Sequence, residues 1–100
     1  MLQLGVLDQS PVASNSNPVE AMKNTITLAR AADRLGFSRY WVAEHHSTPG
    51  LAGSSPEVLA AAIAAQTDLI RVGTGGVMLP HYSAYKVAEN FRVLEALFPG

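Results

Sequence analysis

The sequence predicts an α/β fold of the TIM-barrel type, a (βα)8 barrel of which residues 1–100 form about three units, the N-terminal (βα)3 portion of a single domain. Strand-like and helix-like segments alternate, with strands starting near residues 2, 39 and 70; units of this length imply right-handed βαβ crossovers and a parallel sheet. Polar, ionisable or glycine residues gather at the C-terminal end of every strand, the face where barrel enzymes build their sites. No G-x-G-x-x-G follows the first strand, which argues against the open dinucleotide-binding sheet that shares this element order.

Leu2 to Leu7 reads as the first strand, ending in Asp8, Gln9 and Ser10, and Pro11 forbids its continuation in a central position. Asn17, Pro18 and Glu20 make a strong helix start, and Gly36 suits a left-handed stop, so a first helix is expected over Pro18 to Leu35. Its apolar face is expected from Val19, Met22, Ile26, Ala29 and Leu35. A second strand starts at Arg39. A loop with Pro49, Gly50 and Gly53 then leads to Ser55 as cap and Pro56 as first residue of a second helix. That helix is rich in alanine and can lie close to a sheet, with Val58, Leu59, Ile63 and Leu69 expected in the contact. Ile70 to Met78 reads as a third strand, and Ser83 caps a third helix whose apolar face is Ala84, Val87, Phe91, Leu94 and Phe98. Phe98-Pro99-Gly100 is a helix-ending signal where a fourth strand is due, so the chain is expected to be the first part of a longer enzyme. Three parallel strands also leave two unpaired edges, which predicts association with further copies or with missing sequence.

Composition narrows the function. At 48% hydrophobic and 15% charged residues the chain is a core-forming globular one. A formal charge of -1 gives no basic stripe for nucleic acid. The longest apolar run, Val58 to Ala65, is too short for a bilayer, so no membrane partner is expected and a soluble, cytoplasmic protein is. The absence of cysteine excludes disulfides and a cysteine-based zinc site or nucleophile. A small-molecule substrate is the remaining default.

The stretch from Arg39 to Ser47, R-Y-W-V-A-E-H-H-S, is the most informative. By strand alternation Tyr40, Val42 and Glu44 face one side and Trp41, Ala43 and His45 the other. Adjacent His45 and His46 therefore diverge, which argues against a two-histidine metal clamp and for a single imidazole working as an acid/base group, with no metal. The alternative is a pair of surface histidines. Tyr40 and Trp41, in mid-strand, are expected to pack rather than to stack on a ligand.

These motifs together resemble the bacterial luciferase-like family of flavin-dependent monooxygenases: A-E-H-H at Ala43 to His46, V-G-T-G-G-V-M-L-P at Val72 to Pro80, and L-G-V-L-D-Q-S-P at Leu4 to Pro11. The resemblance implies a barrel roughly three times this length. It implies reduced FMN as cofactor, supplied by a separate flavin reductase, with molecular oxygen and a small organic substrate as partners. It also assigns roles. His45 matches the family's acid/base histidine near the flavin, and Glu44 and His46 match its neighbours on the cofactor side. Gly75 and Gly76 match the dipeptide that supports the isoalloxazine ring, often through a cis peptide bond, at a place where luciferase itself carries alanines. The bland reading of these glycines is a bulge. Asp8, Gln9 and Ser10 would lie beside His45 and line the substrate pocket, or else tie the first βα loop to the second. His81 and Tyr82 would be rim residues. Two other functions remain compatible: a deazaflavin-dependent oxidoreductase on the same fold, and a non-catalytic, flavin-binding or self-assembling module.

Overall fold

A computed structural model describes all of residues 1–100. Three parallel strands lie in the order β1 (Gly5–Asp8), β2 (Arg39–Val42) and β3 (Arg71–Thr74), each followed by a helix: α1 (Pro18–Arg34), α2 (Pro56–Ala64) and α3 (Ala84–Leu97). The register aligns Gly5 with Arg39 and Arg39 with Arg71, so the three strands start and end level. Their C-terminal ends therefore form one edge, to which Asp8, Val42 and Thr74 bring the chain together.

The strands are shorter than the apolar runs suggest. Leu2 to Leu4 precede the point where β2 begins; Leu4 contributes only its carbonyl, which accepts the backbone N–H and the hydroxyl of Ser38. At the other end, Gly75 N–H donates to Val42 O at 2.8 Å, while His45 N–H turns away to Gly53 O. The ladder ends there, with the chain after β2 turned toward the second βα loop, and β3 stops at Thr74 rather than Met78.

The helix starts follow local rules. Asn17 accepts Glu20 N–H at 3.0 Å, Pro18 opens α1, and Gly36 takes a positive φ of 83° just past its end. Ser83 accepts Lys86 N–H at the start of α3, whereas Ser55 precedes α2 without a side-chain capping bond. A short 3-10 turn, Leu79–His81, connects β3 to α3. No helix is long and apolar enough to cross a membrane.

One face of the sheet carries the core. Tyr40 and Val42 meet Ala29 and Ala32 of α1, Leu59, Ala60 and Ile63 of α2, and Ile70. The buried stripe of α1 is Ala21, Thr25, Ala29 and Ala32, with Met22 and Ile26 beside it. Val19 and Leu35 lie outside that stripe and are exposed, as are Val58 and Leu69 around α2. Small residues let the helices approach the sheet, and this shifts the buried stripe away from the largest apolar side chains. In α3 no residue is fully buried; Val87, Phe91, Leu94 and Phe98 are half covered.

A polar tie holds the opposite end. The Asp33 carboxylate accepts the N–H groups of Asp68, Leu69 and Ile70 at 2.7, 3.0 and 2.8 Å, joining the end of α1 to the entry of β3. The Asp68 N–H, with its two neighbours, holds that carboxyl below its ordinary value despite the opposing effect of desolvation.

Candidate active site

The residues past β1 divide between two environments. Asp8 and Ser10 are buried and face α1, while Gln9 between them is exposed. Asp8 accepts Ser10 N–H at 2.7 Å and the Tyr40 hydroxyl, and Ser10 Oγ pairs with Thr25 Oγ1 at 2.7 Å. Burial first, and then the Asp8 carboxyl, push the Tyr40 phenol well above its ordinary range, so its hydroxyl stays a donor. Ser10 itself has φ of 50°, a conformation that its two bonds inside the knot hold in place. The next residues join the two loops: Ala52 N–H donates to Ser10 O and Val12 N–H to Gly50 O, with Pro11 bridging Leu51. The Ser10 carbonyl and Val12 N–H thus tie the first βα loop to the second, the Asp8 carboxyl anchors that loop to Tyr40 of β2, and the Gln9 side chain is exposed.

Beyond β2 the alternation continues into chemistry. Glu44 is buried. Its Oε2 accepts the Tyr82 hydroxyl at 2.6 Å and meets His46 Nε2 at 2.5 Å, and its Oε1 accepts Met78 N–H at 3.1 Å. Desolvation raises the carboxyl's pKa, yet the Tyr82, His46 and Met78 donors outweigh it and hold Glu44 below its ordinary value. The same bond pushes the Tyr82 phenol up to about 12. His81 stands edge-on to both His46 and Tyr82, with ring centroids at 5.8 and 6.2 Å.

His45 is different. Its Nε2 is buried and has no hydrogen-bond partner in the protein. A buried ring nitrogen without a partner is costly in a finished fold, and such groups mark places where a ligand or water is taken.

The sheet face opposite the helices carries Leu7 and Trp41, both exposed, and the glycines of β3 and its continuation. The Trp41 indole lies across Gly73, where an added Cβ would come within 2.9 Å of Cζ3. Gly73 thus makes the room that lets the indole lie flat over the neighbouring strand. The expectation that Trp41 packs like Tyr40 divides here: Tyr40 is core, whereas Trp41 covers the other face. The peptide between Gly75 and Gly76 is cis. Gly75 abuts Leu7 and Trp41, and nothing lies within 4 Å of a Cβ position on Gly76.

A cleft of about 460 Å³ lies elsewhere, between α2, α3 and the N-terminal end of β3, lined by Ala60, Ile70, Phe91 and Phe98 among others. It is at the wrong end of the strands for barrel chemistry. The polar and glycine constellation at the C-terminal end is the better candidate.

Comparison with known proteins bears on this constellation. The sequence profile of luciferase-like monooxygenases matches residues 2–100. The chain belongs to the luciferase-like monooxygenase family. It is 65% identical over its whole length to the uncharacterized protein YwcH of Bacillus subtilis, and 49% identical to the N-acetyl-S-alkylcysteine monooxygenase of the same organism. The chain spans 30% of the length of each of these curated relatives. Among solved structures it matches apo-MsnO8 with a TM-score of 0.96 and 52% identity, over 99% of this chain and 30% of that one. It also matches the oxygenating constituent of 3,6-diketocamphane monooxygenase from Pseudomonas putida, a type II Baeyer-Villiger monooxygenase solved in complex with FMN, with a TM-score of 0.83 and 26% identity over 90% of this chain and 25% of that one. These luciferase-like neighbours share the barrel architecture expected from the element order, of which the three-stranded parallel sheet is the N-terminal part.

Sequence reasoning placed Tyr82 on the rim and did not connect it with Glu44. The only local signal was a tyrosine eight residues after Thr74, and nothing in that spacing specifies a partner 38 residues back. Thr25 was missed for a related reason: a hydroxyl on the buried stripe of α1 signals a polar partner, but does not say which.

Proposed function

We propose that this chain supplies the first three βα units of a flavin-dependent monooxygenase that uses reduced FMN and molecular oxygen to oxidise a small organic substrate, the reduced flavin coming from a separate reductase. The observation that carries the reading is the partnerless buried Nε2 of His45 at the C-terminal end of the sheet. The neighbouring residues suit a flat ring: the open Cβ direction of Gly76 leaves its backbone approachable, and Leu7 and Trp41 add an apolar surface beside Gly75. When bound, the cofactor supplies the electrons that activate oxygen. The chain's own residues do the rest. Gly75 and Gly76 seat the ring, Leu7 and Trp41 keep water from it, and His45 Nε2 gives or takes a proton. Gln9 faces the substrate, while Asp8 and Ser10 fix the loop that carries it.

Oxygen uptake by the full-length protein, supplied with reduced FMN and a panel including an N-acetyl-S-alkylcysteine and a cyclic ketone, tests this. Substrate-dependent uptake with product formation is expected, and His45→Ala should lower turnover by about 10²- to 10⁴-fold without loss of FMN binding. Unchanged turnover in His45→Ala removes that residue from the chemistry. Hydride transfer to a deazaflavin with no oxygen uptake replaces the cofactor.

A further inference from the structure

The Gly75–Gly76 segment is held from β2 at two points. Before it, Gly75 N–H donates to Val42 O at 2.8 Å; after it, Met78 N–H donates to Glu44 Oε1 at 3.1 Å. The two acceptors belong to residues two apart on β2 and its continuation, one a backbone carbonyl and one a side chain, so the glycine pair is suspended between them. The rest of the connection folds on itself: Leu79 N–H donates to Val77 O, His81 N–H to Met78 O and Tyr82 N–H to Leu79 O. Tyr82 then returns its hydroxyl to Glu44 Oε2 at 2.6 Å. One buried side chain thus grips the loop after the glycines at its start and at its end.

We propose that Glu44 is a positioning residue, whose carboxylate sets the height and tilt of the Gly75–Gly76 seat through Met78 N–H and Tyr82, with His46 as its third donor. This rests on the reading of those glycines as the flavin's seat. Glu44 does not touch the cofactor in this account. Its role depends on being an acceptor at both oxygens, because all three partners are donors at the contact. A glutamine of the same length keeps one acceptor for Met78 N–H and presents an NH2 group to Tyr82 and His46, which must then reverse from donors to acceptors and lose their charge-assisted bonds. A buried carboxylate loses its hydration on folding, and three charge-assisted bonds are what make that placement tenable.

The test uses the full-length protein, with FMN affinity, visible circular dichroism of bound FMN, and amide exchange at Met78 as readouts beside activity. Glu44→Gln should weaken FMN binding at least tenfold, change the dichroism of the flavin that still binds, and speed exchange at Met78. Tyr82→Phe keeps the carboxylate and removes one part-buried hydroxyl. It should lower the thermal midpoint by a few degrees at most, since one of three bonds to the buried carboxylate is lost, while raising the FMN dissociation constant of the folded protein severalfold and altering its dichroism, which a merely structural role would not do. If Glu44→Gln does not fold, the Tyr82→Phe result decides alone. Wild-type affinity and dichroism in both variants overturn the positioning role and leave the flavin reading intact. Failure of the unaltered protein to bind FMN or a deazaflavin overturns both.

Discussion

Two acidic side chains at the ends of neighbouring strands each take a tyrosine hydroxyl, and the two arrangements serve different ends. Asp8 receives Tyr40 from the adjacent strand and Ser10 from its own loop, beneath α1, where every participant is buried. Glu44 is as deeply buried, but its donors Tyr82 and His46 belong to exposed loops, at 38% and 41% exposure. The first arrangement joins elements already packed into the core and adds rigidity. The second joins two loops that the core does not hold, and so decides where the segment between them lies. A carboxyl's partners, more than its own burial, separate a structural role from a site-building one.

That distinction breaks most readily at Asp8. Removing its carboxyl leaves the Tyr40 hydroxyl and Ser10 N–H buried without their acceptor, so Asp8→Ala should cost about 3 kcal/mol of stability. Tyr40→Phe, which loses one donor and keeps the ring, should cost about 1 to 2 kcal/mol. Denaturant titration of the full-length protein measures both, and FMN affinity of the folded fraction should stay near wild type. A loss of flavin affinity in either variant without loss of stability would collapse the contrast with Glu44.

Acid offers a finer separation. Glu44 is held below its ordinary value of 4.5, so its donors contribute fully above that pH, and the contribution is lost as the pH falls through the lower folded value. FMN affinity should then fall by up to about tenfold per pH unit in that window, the slope of a single linked proton. Asp33, held down by its three N–H donors, is likewise lowered and also titrates in acid. Comparison with Glu44→Gln isolates the relevant step, since the variant should lack it. Equal acid slopes in the two proteins would assign the effect to Asp33 or another carboxyl.

Much of the fold was legible because local rules carry it. Asn17-Pro18, Pro56 and Gly36 mark helix boundaries by caps and allowed dihedrals, and strand and helix alternation gives the parallel order without reference to tertiary contacts. The length of the strands was less legible, since Leu2, Leu4 and Gly75 to Met78 look strand-like, yet beyond the bonds at Leu4 O and Gly75 N–H they add nothing to the ladder. The buried face of α1 ran through Ala21, Thr25 and Ala32 rather than Val19 and Leu35, because distance to the sheet, and not side-chain size, selects what is covered. In the candidate site, alternation set Glu44 on the side of Tyr40 and Val42, and all three are buried. The inward turn of Asp8 needed the register that sets it beside Val42, on the same side as Tyr40, and no reading of β1 alone contains that pairing.

The measurement that bears most directly on the whole account is an anaerobic titration of the full-length protein with reduced FMN, followed by the change in flavin fluorescence. Saturable binding at one equivalent per chain is the predicted result. A signal that never saturates, in protein shown to be folded, would contradict the assignment of Gly75, Gly76 and His45 to a flavin site.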